Sequence, residues 1–273
     1  MKKEYTSAPL PFQGQKRGFV NAFKTVLADC PEDITIVDLF GGSGLLSHTA
    51  KSVKPHARVV YNDYDDYHLR LDSIENTNAI LRDIREMARE VPRERRIPQA
   101  VKDKILKRLL RETGYVDYIT LSSSLLFSME YSTSIEGLRS EAMYNKVRLT
   151  DYPMPEGYLA GVEIVHKDYR DLFEEHKKTD NVIFIVDPPY LSTDTSSYKV
   201  PGWWSLSEYL DVLSVIKDTS FVYFTSDKSD IVELCAWIGN NGGDNPFSGA
   251  QKITRKVQIN VDSTYTDIML YKL

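Results

Sequence analysis

The residues best suited to chemistry are Asp187-Pro188-Pro189-Tyr190. An ionised carboxylate only accepts hydrogen bonds, and a proline offers a carbonyl but no N–H. A carboxylate, two carbonyls held by stiff rings and an aromatic side chain make a rigid, planar pocket of acceptors. A flat heterocycle with an exocyclic amine would fill it, donating to Asp187 and to the Pro188 carbonyl while stacking on Tyr190. Without a ligand, the same residues form a Pro-rich turn whose Asp caps something nearby.

A second group could hold an anion-bearing ligand. Asp38-Leu39-Phe40 runs into Gly41-Gly42-Ser43-Gly44, and Asp63 follows the next apolar run. Glycines let a backbone approach a ligand closely, and the N–H groups of a helix start attract an anion. An acid at the end of the neighbouring strand can accept both hydroxyls of a ribose. A dinucleotide fingerprint would need a third glycine where Ser47 stands. A glycine turn with no ligand fits the same letters.

Both groups need a sheet to present them. Val182 to Val186 are five apolar residues, the mark of a strand buried on both faces of a parallel sheet, and the prolines end it. Ile34 to Phe40 predicts a first strand, a helix continues from the glycines to about Ser52, and Arg58 to Asn62 predicts a second strand. Asp65 or Asp66 is placed to cap the long helix that follows. Strand, glycine turn, helix, strand, acid is a βαβ unit of the nucleotide-binding type. Before it, Phe12-Gln13-Gly14-Gln15-Lys16 forms a turn ahead of an amphipathic helix carrying Phe19, Val20, Phe23, Val26 and Leu27.

Past Asn78 the alternation breaks. Two basic helical stretches lie either side of Pro92 and Pro98, the second ended by Gly114, and residues 115–160 predict irregular structure with short elements. Residues 80–160 are therefore expected to be an inserted, mostly helical subdomain between catalytic segments 1–79 and 161–273. The sheet resumes at Val162 to Val165, ending near Asp168-Tyr169, and again at Val182. A loop bearing Tyr198, Trp203 and Trp204 leads to a helix (Leu206 to Ile216), a strand (Phe221 to Ser226) and a helix (Ser229 to Ile238). Val257 to Val261 and Thr266 to Tyr271 predict a closing antiparallel pair.

The 273 residues are 42% hydrophobic and 27% charged, enough for a sizeable core. Two cysteines offer neither a disulfide framework nor a metal cluster, and no apolar run reaches membrane-spanning length. An intracellular, cytoplasmic protein without metal or membrane attachment is expected. The net charge of −5 is a poor match to nucleic acid, yet Leu81 to Arg111 holds 11 Lys and Arg against 5 Asp and Glu. Arg93, Arg95, Arg96, Lys104, Lys107 and Arg108 are candidates for phosphate contacts, and Tyr198, Trp203 or Trp204 for packing beside a bound base. A solvated helix pair and a small satellite core would use the same residues.

Taken together these motifs resemble the N6-adenine DNA methyltransferases in their alpha arrangement, over about Pro11 to Leu273 less the insertion. Phe12-x-Gly14-x-Lys16 is similar to that family's N-terminal cofactor motif, and Asp38-Leu39-Phe40-x-Gly42-Ser43-Gly44 to its principal S-adenosylmethionine motif. Asn62-Asp63 resembles the ribose-binding position, Asp168-Tyr169 the position beside the cofactor adenine, and Asp187-Pro188-Pro189-Tyr190 the catalytic motif. The resemblance implies a Rossmann-like α/β fold with helices on both faces and target recognition in the insertion. It implies S-adenosylmethionine as cofactor, DNA as partner and a flipped target adenine, with a cognate restriction endonuclease as a possible companion. Related cytosine enzymes more often carry Ser-Pro-Pro-Tyr, and glutamine or RNA enzymes Asn-Pro-Pro-Tyr, so Asp187 leans toward adenine. Methylation of another planar amine or amide, or a catalytically silent binding module, stays open on the sequence.

Overall fold

In a computed structural model, residues 4–127, 130–189, 206–258 and 264–273 are described. Tyr190, Tyr198, Trp203 and Trp204 lie outside them. In chain order the elements are α1 (Val20–Ala28), β1 (Thr35–Asp38), α2 (Leu45–Val53), β2 (Arg58–Asn62), α3 (Tyr67–Asp72), α4 (Ile74–Met87), α5 (Gln99–Leu109), α6 (Tyr118–Leu125) and α7 (Ile135–Ser140). β3 (Glu163–Val165), α8 (Tyr169–His176), β4 (Val182–Val186), α9 (Leu206–Ile216), β5 (Phe221–Ser226), α10 (Ile231–Asn240), β6 (Gln251–Gln258) and β7 (Thr264–Lys272) complete them.

The strands form one sheet in the order β3-β2-β1-β4-β5-β7-β6. The first five are mutually parallel, and β7 runs antiparallel to both β5 and β6. The chain winds outward from β1 through β2 to β3, then returns to the far side of β1 for β4 and β5. The order therefore reverses between β1 and β4, where open α/β sheets leave a crevice at their carboxyl ends. This is a Rossmann-like α/β architecture.

Alternate residues of β4 serve opposite faces, as the pleat requires. Phe184 and Val186 join a core with α8, α9 and α10, whereas Ile183 and Ile185 join one with α1 and α2. A third core lies in the helical layer, from Leu71, Ile74 and Leu81 through Ile105, Leu109, Leu121 and Leu138. It also takes in Tyr5, Leu10 and Leu45, so the helical layer shares its core with residues that precede β2. A boundary at residue 80 falls inside α4, whose Ile74 and Ile84 belong to the same core.

Three boundaries differ from expectation. The long helix after β2 breaks at Ser73 into α3 and α4. The second basic helix ends at Leu109, before Gly114. The closing strand begins at Gln251, six residues before Val257, because as an edge strand exposed along most of its length it has no apolar alternation to read.

Candidate active site

The carboxyl ends of β1 and β4 bring the two sequence motifs together. Asp38 is the last residue of β1, and its register partner on β4 is Ile185, two positions before Asp187. Asp187 is 17% exposed and its Oδ2 lies 2.7 Å from Lys16 Nζ, which also donates to the Gly14 carbonyl at 2.6 Å. Burial raises the Asp187 pKa above the usual carboxylate range, and Lys16 opposes that rise. Lys16 is itself 8% exposed. The sequence places Lys16 in the candidate cofactor motif; the structure sets it against the Asp187 carboxylate.

Asp38 is fully enclosed. Its Oδ2 accepts from Ser47 Oγ at 2.7 Å, while Oδ1 has no hydrogen-bond partner among the described residues. Burial, reinforced by the charge of Asp187, pushes its pKa up to about 7 against the Ser47 hydrogen bond, the Phe40 N–H and the charge of Lys16. A buried acceptor without a donor carries a free-energy cost that an incoming ammonium group would remove. Ser47, which spoils a dinucleotide fingerprint, is thus the partner of Asp38, a role the sequence did not reveal.

The glycine turn follows at once. Gly42 has φ 50°, and Gly44, with φ 70°, is the N-cap of α2. A Cβ on Gly42 would meet the Phe12 ring at 3.1 Å, so the N-terminal motif closes over the turn. Phe12 also packs edge-on against Tyr67, centroids 5.6 Å apart. Ser43 is buried, and its carbonyl accepts from the Tyr158 hydroxyl at 2.9 Å. Phe40 lies against Tyr169, ring centroids 4.9 Å apart. Asp168 caps α8 through the Arg170 N–H at 2.8 Å.

Asp63 corrects an expectation. Asp66 holds the N-cap position of the helix after β2, but its side chain makes no capping bond and lies 3.3 Å from His166 Nδ1 instead. The cap is Asp63, whose oxygens accept from the N–H groups of Tyr67 at 2.7 Å and His68 at 2.8 Å. The His68 ring lies 2.6 Å from Oδ2 and the Tyr61 hydroxyl 3.0 Å from Oδ1. A carboxylate four residues before Tyr67 reaches the helix start because the β2–α3 turn doubles back through Asp66 in the left-handed region, φ 55°.

The basic candidates separate into two sets. Arg95, Arg96, Lys104 and Lys107 are exposed. Arg108 pairs with Asp83 at 2.6 Å and with Glu112. Arg93 donates to the Val147 carbonyl. The insertion is tied to the catalytic segments by a buried pair, Arg70 Nε to Asp117 Oδ1 at 3.0 Å, with Arg70 also donating to the Pro11 carbonyl at 2.7 Å. Among the described residues no cluster of three or more His, Cys, Asp or Glu could hold a metal ion. No helix among them is long and apolar enough to cross a membrane.

A glycine-turn crevice thus lies at the switch point, facing an Asp-Pro-Pro strand end. The model of the D12 class N6 adenine-specific DNA methyltransferases matches residues 12–220, and the chain belongs to that family. A Haemophilus influenzae protein named "Putative methyltransferase" is 37% identical over 278 residues, covering 99% of this chain and 94% of its own. A solved structure, precorrin-6y C5,15-methyltransferase from Geobacter metallireducens GS-15, covers 99% of both chains at 9% identity and a TM-score of 0.41, too distant to carry an argument. Family and fold imply S-adenosylmethionine as the methyl donor. The orphaned Asp38 Oδ1 and the glycine turn beside it fit the ammonium and carboxylate of its methionine end.

Proposed function

We propose that the protein transfers a methyl group to N6 of adenine in DNA, acting on a base turned out of the duplex. The observation that carries this is the placement of Asp187 at the carboxyl end of β4, across the switch point from Asp38 and the glycine turn. An amine held at Asp187 therefore faces a donor held at the β1 turn. S-adenosylmethionine supplies an electrophilic methyl on a sulfonium. The chain aligns the nucleophile: Asp187 and the Pro188 carbonyl accept the two N6 hydrogens, which turns the nitrogen lone pair toward the methyl. As the amine gains positive charge, its interaction with the carboxylate strengthens, so the transition state is favoured over the ground state. The surplus proton then leaves to water. Neutral adenine N6 is far too weak an acid to be deprotonated first, so Asp187 acts as an acceptor and not as a base.

An adenine inside a duplex cannot reach a carboxylate at the floor of a crevice, which motivates extrusion at a few kcal/mol of unstacking. Tyr190 would stack on the extruded base. Phe12, Gly14, Phe40, Gly42, Ser43, Gly44, Asp168 and Tyr169 would surround the cofactor. Asp63 would meet its ribose only by exchanging the half-exposed His68 ring for the hydroxyls. Arg93, Arg95, Arg96, Lys104 and Lys107 would meet phosphates, with Arg108 beside them held by its carboxylate partners.

Incubation with methyl-labelled S-adenosylmethionine and duplexes containing or lacking adenine tests the reading. Label should enter adenine-containing DNA as N6-methyladenine. Incorporation into adenine-free DNA, RNA or protein alone would replace it with another planar amine or amide, and no incorporation anywhere with a silent binding module.

A further inference from the structure

The β6–β7 hairpin is longer than the sheet it joins. β5 pairs with β7 up to Ser226↔Asp267, and the Asp227 N–H bonds the Thr266 carbonyl at 2.9 Å. β6 and β7 stay paired beyond that point, through Lys256↔Thr266, Val257↔Tyr265 and Gln258↔Thr264. Three further pairs at ~3.4 Å each lift a two-stranded ribbon about 10 Å above the carboxyl edge. β7 lies two strands from β4 in the sheet, hence on the order of 10 Å from the Asp187 end. The insertion joins β2 to β3 at the other end of the sheet, so ribbon and helical layer flank the crevice from opposite sides.

Cations stand on both sides of the ribbon, one on its own strand and one, next in sequence to the exposed Asp227, on the turn after β5. Lys256 is exposed on the face shared with Thr254 and Ile268. On the other face, Val257 and Tyr265 stand opposite each other, and Lys228 from the turn after β5 sits over the Tyr265 ring, 4.5 Å from its centroid. The stem is braced: Arg255 stands opposite Asp267 and lies so close on Gly18 that a Cβ there would fall 1.6 Å from its guanidinium. Lysine on an edge strand is ordinary protection against strand pairing. That accounts for Lys252, level with the sheet, but not for a cation on a neighbouring turn seated on the ribbon's aromatic ring.

Resting on the reading of the protein as a DNA methyltransferase, we infer that this ribbon enters a groove of the duplex beside the target base, with Lys256 and Lys228 reaching the phosphates on either side. A two-stranded ribbon is narrow enough for the major groove, and a groove presents phosphates to both of its faces. Such contacts set register without reading sequence.

The test is DNA binding by the full chain over a range of salt concentrations, using duplexes of unrelated sequence. Each of Lys228→Ala and Lys256→Ala should lower the slope of log affinity against log salt by about 0.9, and the double variant by about twice that, on every duplex. Lys252→Ala, on the same strand but level with the sheet, should leave the slope unchanged, and binding of S-adenosylmethionine should be equal in all variants. An unchanged slope in the double variant, or an equal loss in Lys252→Ala, overturns the ribbon while leaving the methylation reading intact. Failure of the unmodified protein to bind any duplex overturns both.

Discussion

Lys16 Nζ lies 2.7 Å from Asp187 Oδ2, joining the first motif of the chain to the last. The ammonium opposes the rise that desolvation imposes on the pKa of this buried carboxylate. Asp187 also feels the carboxylate of Asp267 on β7, whose own pKa burial raises. Charges of alternating sign, Arg255, Asp267, Lys16 and Asp187, thus run from the closing hairpin to the candidate catalytic strand.

If Asp187 stabilises charge developing on the target amine, Asp187→Ala should lower single-turnover methylation by about 10²–10³-fold, the loss typical of one preorganised electrostatic partner. Asp187→Asn keeps the shape and one acceptor oxygen, so it should fall between. Affinity for S-adenosylmethionine, measured by calorimetry, should stay near that of the unmodified protein. Rates within a few-fold of it for both variants would remove Asp187 from the reaction.

Removing the cation gives a pH signature. Lys16 lowers a pKa that burial raises, so Lys16→Met should move the Asp187 pKa further up. The carboxylate is the competent form, so activity should rise with pH through that pKa, and the acidic limb of the pH–rate profile should shift to higher pH. The limb is read from turnover at saturating cofactor and DNA across about pH 5–9. Coincident profiles for the two proteins would mean the contact does not set the titration.

Burial pushes the pKa of Asp38 up to about 7, from an ordinary carboxyl value of 3.8. A folded-state pKa raised in this way favours the protonated carboxyl, so this group's contribution to stability falls as pH rises from 3.8 toward 7. An ammonium delivered to Oδ1 requires the ionised form. S-adenosylmethionine affinity should therefore increase with pH up to about 7 and level off above it, with proton release on binding below that pH. Calorimetry in two buffers of different ionisation enthalpy counts those protons. Asp38→Asn should abolish the release, and a release that persists in that variant would point to another group.

Asp63 makes a claim on folding that needs no ligand. Its carboxylate caps α3 at Tyr67 and His68 and meets the Tyr61 hydroxyl. Asp63→Ala should cost about 2–3 kcal/mol in urea unfolding of the cofactor-free protein, from a lost cap and buried donors left unpaired. Asp63→Asn, which retains one acceptor oxygen, should recover part of it. A stability unchanged in Asp63→Ala would free the residue for a purely ligand-binding role.

What the chain determined by itself is local and buried. Val182 to Val186 is uninterrupted and apolar, and Pro188 and Pro189 forbid its continuation, so β4 ends where its letters say. Arg58 to Asn62, Leu206 to Ile216 and Phe221 to Ser226 likewise carry their periodicity within a single element. The glycine turn was legible because only glycine tolerates its positive φ at Gly42 and Gly44 at little strain.

Tertiary structure decided everything that depends on partners distant in sequence. No local signal says that Lys16 will meet Asp187, or that Arg70 will hold Asp117 from another helix. Asp63 outcompetes Asp65 and Asp66 for the helix start only because the turn folds back on it. The helical layer looks independent in sequence because its composition changes, yet it shares a core with Tyr5 and Leu10. β6 was read too short because an edge strand with most side chains in water shows no alternation, so its register with β7 is set by backbone hydrogen bonds that no side-chain pattern reports.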